Sequence, residues 1–174
     1  MSELHQDRDF VSLGIAVLTV SDTRTEENDG SGAVLVDRLA SAGHRLAAKE
    51  IVRDDRYQVR AVVARWIAEP GIDVVLVTGG TGFSSRDVTP EAVAVLLDQR
   101  VDGFGELFRS LSQRDIGSST IQSRALAGLA NDTLVFCMPG STNACMTAWD
   151  GILREQLDSR NRPCNFVQII RPRR

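Results

Sequence analysis

The sequence predicts an α/β domain built on a largely parallel sheet, and three observations lead there. Gly14 to Val20, Asp73 to Thr78 and Thr133 to Met138 are short, unbroken apolar runs of the kind found in strands covered on both faces. Segments with helical spacing alternate with these runs. The first and last runs empty into polar loops and the middle one into three glycines, the usual form of strand-to-helix connections in such sheets.

Taken in order, GIAVLTV (Gly14 to Val20) is a buried strand, and Ser21 to Gly30 is a polar loop leading to Ser31 as the expected N-cap. Val34, Leu35, Leu39 and Ala42 follow helical spacing, and Gly43 is placed to end that helix. His44 to Val52 reads as a strand nearer the sheet edge because it carries charge. From Asp55 a helix puts Val59, Val62, Val63, Trp66 and Ile67 on one face and stops at Pro70-Gly71. After the strand ending at Thr78, Thr89-Pro90-Glu91 opens a helix with a hydroxyl N-cap, proline at the first helical position and an acid in the first turn. Gly103 to Gly128 reads as mainly helical, broken at Gly117 and the following Ser118-Ser119-Thr120. Thr133 to Met138 is the last core strand, followed by the Pro139-Gly140-Ser141-Thr142 turn and a helix carrying Cys145, Trp149, Ile152, Leu153 and Leu157.

Length and charge set the limits. The 174 residues suit one domain, expected over 13–174 behind a flexible tail, 1–12. A net charge of −3 provides no field for nucleic acid or an anionic membrane, and the basic Arg171-Pro-Arg173-Arg174 end reads as solvated. Met1 to Phe10 lacks the apolar stretch of a secretory signal, and no apolar run approaches the roughly 18 residues of a membrane span. The three cysteines, Cys137, Cys145 and Cys164, lack metal or redox spacing, so a cytoplasmic protein with reduced thiols is expected.

The chemistry concentrates in TGGTGFSSRDVTPEA, Thr78 to Ala92. Gly79, Gly80 and Gly82 permit close approach to the backbone, so that loop amides can face an anion. Two familiar phosphate loops are excluded: no Gly-Lys-Ser/Thr follows, and Gly80-Thr81-Gly82-Phe83-Ser84-Ser85 ends in serine where a dinucleotide fingerprint needs glycine. A helix dipole contributes only about 0.3 to 1 kcal/mol at an exposed site, so a polyphosphate here needs a cation as well. Asp87 is the candidate to hold Mg2+; the alternative is that it closes an Asx turn.

In a parallel sheet, ligands collect beyond the C-terminal strand ends, so the loops after Val20, Val77 and Met138 are expected to share a crevice. Those loops carry Ser21, Asp22, Gly79, Gly80, Thr81, Gly82, Asp87 and Ser141. Asp54-Asp55 ends a strand and begins a helix; capping accounts for one carboxylate and leaves the other available to face Asp87. Ser141 reads equally as an ordinary N-cap, Glu91 as a helix-start acid, and Ser123-Arg124 as a helix surface with an arginine suited to phosphate. His5 falls in the tail and His44 has no evident carboxylate or cysteine partner, so neither histidine reads as catalytic.

Several motifs in one order extend this reading over nearly the whole chain: IAVLTVSDTR, DGSG, EIVRDDRYQVRA, VLVTGGTGFSSRDVTPEA, VDGFGELFR, STIQSRALAG, FCMPGSTNAC and NRPCNF. Together they resemble the MoaB/MogA family of molybdenum cofactor biosynthesis proteins, and NRPCNF is especially similar to its MoaB members. The resemblance implies a three-layer α/β/α sandwich with a mostly parallel sheet, assembled as a homotrimer or homohexamer. It implies Mg2+-assisted adenylylation of molybdopterin by ATP, with Asp87 and Asp54 as the catalytic, metal-holding carboxylates. The substrate-binding positions it implies are Ser21, Asp22, Gly79, Gly80, Thr81, Gly82, Ser123, Pro139, Gly140 and Ser141. Some MoaB-type proteins lack the arginine and threonine of RDVTPE, which this chain keeps as Arg86 and Thr89. Its central loop is therefore similar to the active MogA type. The alternative functions are a non-catalytic molybdopterin-binding protein and a scaffold for other molybdenum cofactor enzymes; a nicotinamide oxidoreductase is disfavoured by the missing fingerprint.

Overall fold

A computed structural model describes residues 8–170; the expected tail at 1–7 with His5, and the basic residues 171–174, lie outside these. Six strands form one sheet: β1 (Gly14–Val20), β2 (Arg45–Val52), β3 (Val74–Thr78), β4 (Gln99–Arg100), β5 (Leu126–Ala130) and β6 (Thr133–Met138). Their order is β2-β1-β3-β6-β5-β4. The first four in that order run parallel, and β5 and β4 join antiparallel. The helices are α1 (Gly30–Ser41), α2 (Arg56–Ala68), α3 (Thr89–Val93), α4 (Asp102–Ile116) and α5 (Thr142–Ala148). The last continues through a π turn at Trp149–Leu153.

Alternation along the strands divides the core into two layers, because successive side chains point to opposite faces. Ile15, Val17, Val74, Leu76, Leu134 and Phe136 pack with Leu35 and Leu39 of α1, Phe104 and Phe108 of α4, and Trp149. Ala16, Leu18, Val75, Val77, Val135 and Cys137 pack with Val59, Val63 and Trp66 of α2 and with Ala92 and Val93 of α3. This is the expected three-layer sandwich. The charged strand β2 is indeed an edge strand.

Four local expectations require correction. Asp29, not Ser31, caps α1: its carboxylate accepts from the Gly32 amide at 2.9 Å. Thr89 is not an N-cap but lies within α3, and its buried hydroxyl donates to the Gly79 carbonyl at 2.7 Å. The stretch from Gly103 is helical only to a 3-10 turn at Gly117–Gln122, after which β5 follows. Ser123 and Arg124 therefore lie on an extended approach to β5, not on a helix. The β5–β6 hairpin turns at Asn131 and Asp132, both at positive φ as a tight two-residue hairpin turn requires.

Residues 9–12, placed with the tail by sequence, are fastened to the domain. Val11 N–H donates to Ser159 Oγ at 2.9 Å, that hydroxyl donates to the Asp9 carbonyl at 2.7 Å, and Ser12 Oγ donates to the Gly43 carbonyl at 2.8 Å. His44 is buried between Phe10 and Trp149, and its Nδ1 accepts from the Leu13 amide at 3.2 Å. Burial holds its pKa below the ordinary value against the opposing pull of Asp158, the carboxylate that sequence did not pair with it. None of the described helices is long and apolar enough to cross a membrane.

Candidate functional site

Strand order reverses direction between β1 and β3, because β2 lies on one side of β1 and the chain returns on the other. At such a switch point the loops beyond the strand ends part and leave a crevice. Here the crevice is a cavity of about 280 Å3 lined by Thr19, Val20, Ser21, Thr23, Arg24, Ser31, Thr78, Gly79, Gly80 and Gly140. The three loops expected to converge do so.

Glycine is required where they meet. Gly79 has φ +105° and lies against the Val20 carbonyl, where a Cβ would collide. A Cβ on Gly140 would sit 3.1 Å from the Gly79 Cα. Gly80, at φ +67°, turns the chain beside Thr89 and Asp54. The amides serve this turn differently from expectation: Gly79 N–H donates to the Met138 carbonyl at 3.0 Å and is not open to an anion. Gly82 instead packs against the Asp87 carboxylate, which a Cβ there would approach to 2.9 Å. Thr81 is buried and lines none of the cavities described here; its carbonyl accepts from Arg124 N–H at 2.9 Å.

Asp22, Asp54 and Asp87 occupy three loops beside the crevice without lining its cavity; Asp54 lies against Gly80 and Asp87 against Gly82. Asp55 caps α2, accepting from Tyr57 and Gln58 amides at 2.9 and 2.8 Å, so capping accounts for this residue and leaves Asp54 free of that role. Asp22 accepts from the Asp54 amide at 3.2 Å and takes the Arg86 guanidinium in a two-point fork, both distances 2.9 Å. Burial, then the negative charge of Asp22, raises the Asp54 pKa; Asp87 adds to this, while the Asp22 amide and Arg86 oppose it. Asp54 therefore senses both other carboxylates.

Asp87 is shifted the other way. Burial pushes its pKa up, but the Ser84 hydroxyl and amide, the Gly82 amide and the Arg124 charge outweigh that and hold it below the ordinary value. Its Oδ2 accepts from Ser84 Oγ at 2.6 Å and from Ser84 N–H at 2.8 Å. The loop-closing role foreseen as the alternative is thus present, in a carboxylate held in its ionised form.

The remaining expected residues lie on another pocket. Ser123, Pro139 and Ser141 line a small cavity of about 90 Å3 with Phe108, Asp115, Ile116 and Asn143. Ser141 caps α5, accepting from Ala144 N–H at 3.1 Å. Among the described residues the Ser123 hydroxyl oxygen is buried without a hydrogen-bond partner. A larger cavity, about 400 Å3, opens at the antiparallel edge beside Arg100, Arg109 and Arg124. Its arginines are engaged with protein groups: Arg109 and Arg124 donate to backbone carbonyls and Arg100 pairs with Asp102, much as Arg24 in the crevice donates to the Asn28 carbonyl.

Sequence reasoning missed Thr23 and Arg24, which line the crevice, and the cross-loop partner of Asp22, Arg86. The SDTR motif carried the first two in plain view. Among the described residues no group of three or more His, Cys, Asp or Glu side chains is arranged to hold a metal ion. A pair of carboxylates does suit a hydrated Mg2+ that takes its other ligands from phosphate and water.

Residues 16–159 match the family described as "Probable molybdopterin binding domain". The chain is 55% identical over 158 residues to "Molybdenum cofactor biosynthesis protein B" of Escherichia coli, covering 91% of this chain and 93% of that protein. A crystal structure of a molybdenum cofactor biosynthesis protein B superposes with a TM-score of 0.83 at 43% identity, over 86% of this chain and 94% of the other. The tungsten cofactor synthesizing protein MoaB from Pyrococcus furiosus superposes with a TM-score of 0.76 at 35% identity, over 83% and 92%.

Proposed function

The chain belongs to the molybdenum cofactor biosynthesis protein B family, and we propose that it adenylylates molybdopterin. A terminal phosphate oxygen of the pterin forms a bond to the α-phosphorus of ATP. The bond from that phosphorus to the bridging oxygen of the β-phosphate breaks, and pyrophosphate leaves with the electron pair.

One observation carries this reading: Asp54 and Asp87 stand on different loops beside the switch-point crevice, Asp54 against Gly80 and Asp87 against Gly82 and neither lining the cavity itself, and the charge of Asp87 is among those that raise the Asp54 pKa. Like charges held together at a crevice favour a cation. When bound, Mg2+ would neutralise phosphate charge and align the phosphates; Asp54 and Asp87 are the residues to hold it. Such a transfer needs positioning and charge stabilisation more than covalent chemistry from the protein.

The other parts follow from placement. Ser21, Thr23 and Arg24 line the crevice with hydroxyl and guanidinium donors suited to phosphate, and Gly80 lets the ligand approach the backbone. Asp22 holds Arg86 and the Asp54 amide in place. The Ser123, Pro139 and Ser141 pocket, with the Phe108 and Ile116 side chains, is assigned to the pterin end. Homotrimeric or homohexameric assembly belongs to the same proposal, and light scattering on purified protein tests it.

A non-catalytic molybdopterin-binding protein is the second reading, favoured by the engagement of Asp87 with Ser84 in closing its own loop. Incubation with molybdopterin and Mg-ATP separates the two. Adenylylated pterin and pyrophosphate, both lost on chelation of Mg2+, support the enzyme; pterin retention without either product supports the binding protein.

A further inference from the structure

We propose that Arg124 is a positioning residue that braces the loop carrying Asp87, an assignment that deepens the adenylylation reading and rests on it for its catalytic part. The guanidinium reaches both ends of that loop: Nε donates to the Gly82 carbonyl at 2.8 Å and Nη2 donates to the Asp87 carbonyl at 2.9 Å. The third nitrogen, Nη1, pairs with the Glu91 carboxylate on α3. The Arg124 backbone also takes part, since its N–H donates to the Thr81 carbonyl at 2.9 Å. The guanidinium lies 5.1 Å from the Phe83 ring centroid, against the segment it spans.

These contacts fix more than one position. Gly82 and Asp87 bracket Phe83 to Arg86, so a single planar group sets the distance across the loop at its two ends. A lysine ammonium cannot reproduce this, because it lacks the rigid fork that aims separate donors in one plane. Arg124 is itself held from behind. Arg109 on α4 donates to the carbonyls of Ser123 and Ala125, at 3.4 and 3.3 Å, on either side of Arg124. The Thr120 hydroxyl donates to the Arg109 carbonyl at 2.8 Å. The brace therefore connects α4, through the approach to β5, to the loop that carries Asp87.

The brace acts on Asp87 through its main chain, whose carbonyl the guanidinium holds. Without the guanidinium, the Ser84–Asp87 turn keeps its internal hydrogen bonds but loses the tie that sets its place against the crevice.

The test compares wild type with Arg124→Ala and Arg124→Lys by hydrogen exchange and by turnover with molybdopterin and Mg-ATP. Exchange over residues 82–88 should rise about tenfold in both variants while strands β1, β3 and β6 keep wild-type protection. Turnover should fall at least about tenfold with KM for the pterin changed less than about twofold, as misplacement of a reacting group predicts. Added guanidinium ion should restore part of the Arg124→Ala turnover, and methylammonium should not. Wild-type exchange in the loop, or full turnover in a folded variant, overturns the brace. If either variant unfolds, Arg124→Gln, which lacks the fork that reaches both loop carbonyls, takes its place: faster exchange confined to 82–88 supports the brace and unchanged exchange overturns it. Should wild type make no adenylylated pterin, the function proposal fails, and loop exchange alone decides whether Arg124 holds the loop.

Discussion

Arg86 grips Asp22 with two donors, Nε to Oδ2 and Nη2 to Oδ1, both at 2.9 Å, and so joins the loop after β3 to the loop after β1. Both side chains are well exposed, and exposed pairs contribute about 1 kcal/mol or less. The consequence is electrostatic, because Arg86 opposes the forces that raise the Asp54 pKa. Arg86→Gln should leave the unfolding free energy within about 1 kcal/mol of wild type and move the Asp54 titration upward. Carboxyl NMR titration reads the second effect directly; an unmoved Asp54 would show that the fork has no hold on the site.

Asp54 and Asp55 adjoin in sequence but should behave oppositely. Asp55→Ala removes the cap on α2 and should cost about 1 kcal/mol while leaving turnover intact. Asp54 has a folded-state pKa above its ordinary 3.8, so its favourable contribution is present below that value and is lost as pH rises through the folded value. At neutral pH the ionised group opposes folding. Asp54→Asn should therefore hold or raise Tm at pH 7 while impairing turnover, and Mg2+ should stabilise wild type more than the variant. Thermal melts with and without Mg2+ check both statements.

Gly79 stands where substitution has no room, at φ +105° against the Val20 carbonyl. Gly79→Ala should destabilise by more than about 1 kcal/mol, since a left-handed backbone and a backbone collision act together. Urea unfolding measures this. A wild-type midpoint would mean that the three loops are not packed as described.

His44 gives the acid limb of stability a specific source. Its Nδ1 accepts the Leu13 amide proton, so protonation there breaks a buried hydrogen bond. With the folded-state pKa below 6.5, the unfolded chain binds the proton more readily. Stability present above pH 6.5 is then lost as pH falls through the folded value. His44→Asn, which keeps an acceptor but does not titrate there, should flatten Tm against pH below 6.5, and an unchanged slope would assign the limb to other groups.

Much of this was legible because the strands leave strong marks. GIAVLTV, VVLVT and TLVFCM carry no charge and, threonine apart, no polar side chain, as a parallel sheet covered on both faces requires. LAGLA was missed because it follows a helical stretch and is made of small residues with a glycine. Gly128 is there so that the β4 backbone and Leu97 can approach, a tertiary reason that no local pattern displays. Asn131-Asp132 did carry a hairpin signal, two residues tolerant of positive φ between apolar runs. In the site, capping logic accounts for one of Asp54 and Asp55, and the family resemblance points to Asp54 as the other; the structure gives the cap to Asp55. By sequence Arg124 reads as a surface arginine suited to phosphate; its hold on the loop did not emerge, because its acceptors are carbonyls 42 and 37 residues away, and carbonyls have no sequence signature.

The central claim is that Asp54 and Asp87 hold Mg2+ over the phosphates of ATP while molybdopterin is adenylylated. Single-turnover formation of adenylylated molybdopterin by wild type and Asp87→Asn tests it most directly. A folded Asp87→Asn protein should be slower by at least about a hundredfold, the scale of losing one strong electrostatic contributor. Near-wild-type formation by that variant would contradict the claim and leave Asp87 with its turn-closing role alone.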